Sequence, residues 1–112
     1  MSIMEQYNGA LDKKAAEFRE KAQHARRQGD EREESLCLMQ ASMLGDMLKH
    51  IGRVDHEGIR PGLLQKEIDF LEENAGRIAR NGDLDAAERE QIKAKTVRFA
   101  LETLRKLEAE NG

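Results

Sequence analysis

The stretch Ala25-Arg26-Arg27-Gln28-Gly29-Asp30-Glu31-Arg32-Glu33 reads as the end of one helix and the start of another. Glycine enters the left-handed backbone region that closes a helix without steric cost, and the aspartate after it can accept hydrogen bonds from the free amides of the next first turn. Glu33, three residues beyond Asp30, completes a variant of the capping box with Asp as the cap. The same pattern returns as Asn81-Gly82-Asp83. Two tight helix–helix turns in 112 residues, separated by one longer break, set an all-α chain of four helices. The spacing predicts them at 2–28, 31–51, 61–80 and 84–109, with Pro61 suited to the first turn of the third.

Working outward, the two turns lie 53 residues apart, and that offset aligns more than the glycines. Ala22, Arg27, Ala41 and Leu48 fall on Ala75, Arg80, Ala94 and Leu101. Two similar αα-hairpins forming a four-helix bundle are expected, as an internal duplication or as two amphipathic hairpins matched at their turns. Hairpin 1 would span about 2–51, the linker 52–60 and hairpin 2 61–109, in a single domain of 1–112. Composition agrees. Ala, Glu, Lys, Leu and Arg make up 59 of 112 residues, whereas Val, Ile and Thr supply only 10, too few for a β-rich fold.

The turn Gly82-Asp83-Leu84, with Ala75, Ile78, Ala87 and Ala94 around it, resembles that of a tetratricopeptide hairpin. Gln91 stands where a large apolar residue belongs, no proline follows Phe99, and the helices are too long, so the chain is not assigned to that family. Glu17-x-x-Glu20 and Glu31-x-x-Glu34 are similar to the carboxylate pairs of all-α nucleotide pyrophosphohydrolases. No Glu-x-x-Asp partner follows on a later helix, and the glutamates read as solvated faces.

Apolar spacing gives each helix a buried stripe. Leu11, Ala15, Phe18, Ala22 and Ala25 form one, and Leu64, Ile68, Leu71, Ala75 and Ile78 another. The second helix differs, because Leu36, Cys37, Leu38, Met39, Met43, Leu44, Met47, Leu48 and Ile51 cover well over half its circumference. A helix so widely apolar needs cover on more than one side, which points to a homodimer. The expected contacts are Leu36, Met39, Met43, Gly45 and Met47, with adaptable thioethers and a glycine that permits close approach. The competing expectation is ordinary core, in which the other helices enclose the second within one chain.

Other chemistry is sparse. The net charge is −3 and both halves are balanced, so neither is basic enough to grip a phosphate backbone, and no nucleic-acid partner is expected. In the first helix Asp12, Glu17 and Glu20 are interleaved with Lys13, Lys14, Arg19 and Lys21, so it carries no clean basic stripe of the kind a nucleic-acid reader shows. Residues 36–48 are too short and too interrupted to cross a membrane, and no signal peptide is expected from Met1 to Glu5. A single cysteine excludes an internal disulfide and fits a cytoplasmic setting. Cys37 lies in the apolar helix as an inert thiol, and no serine sits in a nucleophile elbow. Asp46, His50 and His56 are weak candidates for a metal, since only the first two share a helical spacing. Lys49, Arg53, His56 and Arg60 could form a small anion pocket around the break. The leading expectation is therefore a non-enzymatic, self-associating interaction or adaptor module without cofactor. A regulator binding an anion or nucleotide through residues 49–60 comes second, and a metal-dependent enzyme third.

Overall fold

The structure, a computed structural model, describes residues 2–51 and 61–111, the side chains of residues 49–51 excepted. It contains four α-helices and, among the described residues, no strand: α1 (Ile3–Arg27), α2 (Glu31–Ile51), α3 (Pro61–Arg80) and α4 (Leu84–Asn111). Their bounds match the expected ones to within two residues, because caps mark most of the ends. Ser2 accepts from the Glu5 amide at 3.1 Å, Asp30 from the Glu33 amide at 3.1 Å and Asp83 from the Ala86 amide at 3.0 Å. The Glu33 side chain does not return to its cap. The Asp30 amide is taken instead by the Ala25 carbonyl at 2.9 Å, and Glu33 accepts from the Cys37 thiol.

The two turns are built alike. Gly29 has φ of 74° and Gly82 of 92°, the left-handed conformation that the turn requires. The amide after each glycine reaches back five residues, Asp30 to Ala25 and Asp83 to Ile78, while Gly29 bonds Arg26 and Gly82 bonds Ala79. Every one of these partners is related by 53 positions, so the sequence offset is carried into backbone hydrogen bonding. Both are Schellman closures.

Helices pair within hairpins, α1 on α2 and α3 on α4, and α4 also packs on α1 and α2. Two apolar clusters result. Tyr7, Leu11 and Ala15 of α1 meet Leu44 of α2 and Ala100 and Leu104 of α4 in the first. Ile68 and Leu71 of α3 meet Ala94, Val97 and Leu101 of α4 in the second. α4 serves both because small residues, Ala87, Ala94 and Ala100, let neighbours approach it closely from two sides. Met47 packs against both clusters, the thioether filling the gap between them.

Candidate interaction surface

α2 is fixed from within and from its start. Leu36, Cys37, Ala41 and Leu44 are buried. Arg32 donates from Nε and Nη2 to Asp85 of α4 at 3.1 and 2.8 Å, and from Nη2 to Glu88 at 2.7 Å. The guanidinium holds the Asp85 carboxyl below its ordinary range, and the two carboxylates raise the Arg32 pKa in turn. Further along, the Thr96 hydroxyl of α4 lies 3.3 Å from Gln40 Oε1 and 2.9 Å from the Ile92 carbonyl, which satisfies a buried polar side chain at the α2–α4 seam.

The five residues expected at a dimer contact are divided by this packing. Leu36 is buried within the chain. Met43 and Met47 are half-buried and pack against the α3–α4 cluster. Met39 and Gly45 are likewise half-buried but belong to neither apolar cluster, and a side chain added at Gly45 would meet open space. Ser35, Leu38, Ser42 and Asp46 are exposed on the side of α2 turned from its neighbours. Much of the broad apolar arc is thus covered by α1 and α4 of the same chain, with Met43 and Met47 reaching the α3–α4 cluster.

A second surface was not marked by sequence reasoning. On α3, Ile68, Leu71 and Ala75 are buried against α4, while Leu63 and Phe70, one heptad apart, are 56% and 60% exposed on another face. Their positions in hairpin 1, 53 residues earlier, hold Ala10 and Glu17. The exposed pair is therefore not a requirement of the hairpin. The available signal was that Leu63 and Phe70 fall off the spacing of the α3 core stripe. Phe70 also borders a shallow cavity of about 210 Å³ with Asn74, Arg77 and Arg80.

The remaining candidates resolve less. Asp46 is exposed, whereas the side chains of Lys49 and His50, and all of Arg53, His56 and Arg60, lie outside the described residues. Among the described residues no group of three or more His, Cys, Asp or Glu side chains could hold a metal ion. Cys37 is buried, and burial pushes its thiol pKa up, with the neighbouring Glu33 carboxylate adding to the effect. No described helix is long and apolar enough to cross a membrane. Comparison of the chain with protein-family models, with curated proteins and with solved structures finds no match.

Proposed function

We propose that the protein is a non-enzymatic helical interaction module that associates with itself. The observation that carries this reading is the exposure of Leu63 and Phe70 on one face of α3, a helix whose main packing partner is α4. Isolated surface leucines are ordinary, but two large apolar side chains a heptad apart present an edge suited to another helix. The charges beside them are self-complementary. Lys66 precedes Phe70 by four residues and Glu73 follows it by three, both exposed. An antiparallel two-fold pairing of α3 helices that sets Leu63 of one copy against Phe70 of the other brings Lys66 opposite Glu67, also exposed, with Glu73 beyond them. Met39 and Gly45 of α2 provide a second apolar edge for the same kind of contact.

Sedimentation across micromolar concentrations tests the reading. The wild type is expected to form dimers, and Leu63→Glu with Phe70→Glu to leave a folded monomer, since both side chains already face water. A dimer dissociated by Met39→Glu but unaffected at Leu63 and Phe70 would move the contact to α2. A wild type that sediments as a monomer throughout ends the proposal.

A further inference from the structure

We propose that the groove between α1 and α4 binds the phosphate chain of a small polyphosphate ligand. Lys14, Phe18 and Lys21 come from α1, and Lys95, Arg98 and Phe99 from α4, enclosing about 460 Å³ above Thr96 and Gln40. That volume falls within the roughly 300–1,000 Å³ of small-molecule sites. Glu102 is the one carboxylate among the lining residues, and two of the four cations, Lys21 and Lys95, carry no ion pair to another side chain among the described residues.

The cations are placed rather than scattered. The Lys14 ammonium sits 5.5 Å from the Phe18 ring centre and 5.3 Å from that of Phe99, and Lys21 lies 5.5 Å from Phe18. Ring faces attract the ammoniums while leaving N–H groups unsatisfied, which suits them to phosphate oxygens. Lys14 is 3.6 Å from Glu17, and Arg98 bonds Glu72 of α3. Among the described residues Lys21 and Lys95 have no ion-pair partner within 4.0 Å.

The 53-residue offset between the hairpins bears on the plain reading, that these are solubilising lysines on a helical scaffold. The positions matching Lys14, Phe18 and Lys21 are Glu67, Leu71 and Asn74, and those matching Lys95, Arg98 and Phe99 are Ser42, Gly45 and Asp46. The matched positions on α3 and α2 thus hold none of the six groove residues. Among the described residues the cation–phenylalanine contacts all involve Lys14 or Lys21 of α1, over Phe18 and Phe99. Two of the three contacts lie within α1, and the third, Lys14 over Phe99, joins it to α4. An overall charge of −3 repels anions at long range, so saturable binding of one must be local.

Inorganic triphosphate and ATP are the probes, titrated by calorimetry and followed by amide chemical shifts. Both are expected to saturate and to perturb amides of residues 14–21 and 95–99. Lys21→Gln with Lys95→Gln, at exposed positions, should weaken both by tenfold or more without lowering the melting temperature. Arg105→Gln with Lys106→Gln removes the same charge elsewhere and should leave affinity unchanged. ATP binding tighter than triphosphate identifies a nucleotide as the source of the phosphates, and equal affinity identifies an inorganic polyphosphate; either upholds the site. The proposal fails if neither probe saturates at millimolar concentration, or if the two double variants lose affinity equally. It also fails if a single-stranded oligonucleotide binds where triphosphate does not.

Discussion

Arg32 and Asp85 are hydrogen-bonded to one another and occupy the same position in the two hairpins, 53 residues apart. The contact ties the first turn of α2 to the first turn of α4. The seam there joins unlike charges, so the two hairpins complement each other where they are otherwise alike.

The contact is exposed, and its contribution is expected to be small and salt-sensitive. Its sign with pH is definite. Asp85 has a lowered folded pKa, so its contribution is present above the ordinary carboxylate range and is lost as pH falls through the folded value. Acid melts of wild type and Asp85→Asn should differ at neutral pH and converge in acid. Divergence in acid would mean the pair is not formed.

Tyr7 gives the opposite limb. Burial pushes its phenol up to about 12 from an ordinary 10.0, because the charged form would be stranded in the α1–α2–α4 cluster. Folding stability from this group is present below pH 10 and is lost as pH rises toward 12. The loss should approach about 2 kcal/mol. Tyr7 is the one tyrosine and there is no tryptophan, so tyrosinate absorbance follows it directly. Titration in the native protein at the free-phenol value would contradict this burial.

The glycines separate by role. Gly29→Ala and Gly82→Ala place a side chain at positive φ and are each expected to cost about 1–2 kcal/mol in denaturant unfolding. Gly45→Ala lies in a helix with open space around the added carbon and should stabilise by about 0.5–1 kcal/mol. Equal costs at all three would refute the turn assignment.

Met43→Glu distinguishes core from contact. Met43 packs against the cluster of Ile68, Val97 and Leu101, so the carboxylate is expected to destabilise each chain by about 1–3 kcal/mol. Were the variant as stable as wild type, Met43 would not pack there.

Local chemistry made most of this architecture legible. Gly29, Asp30, Gly82 and Asp83 act within a few residues of themselves, and their turns follow from the chain alone. The apolar arc of α2 was equally visible, but what covers it was not. Its covering depends on α4 serving two clusters through Ala94 and Ala100, a property of small residues that periodicity does not weigh. The candidate surfaces were less legible for the same reason. Phe70 falls off the α3 stripe without that alone marking it as exposed, and Lys14 meets Phe99 only once α1 and α4 are adjacent.

Arg98 stands where these surfaces converge. It lines the α1–α4 groove and bonds Glu72 of α3, the helix that carries Leu63 and Phe70. Val97 and Leu101, beside it on α4, hold α3 in place. An anion drawing Arg98 toward the groove would compete with Glu72 and weaken one tether of α3. Thermodynamic reciprocity then requires that any partner fixing α3 with its Glu72 tether intact lowers the groove's affinity by the same factor.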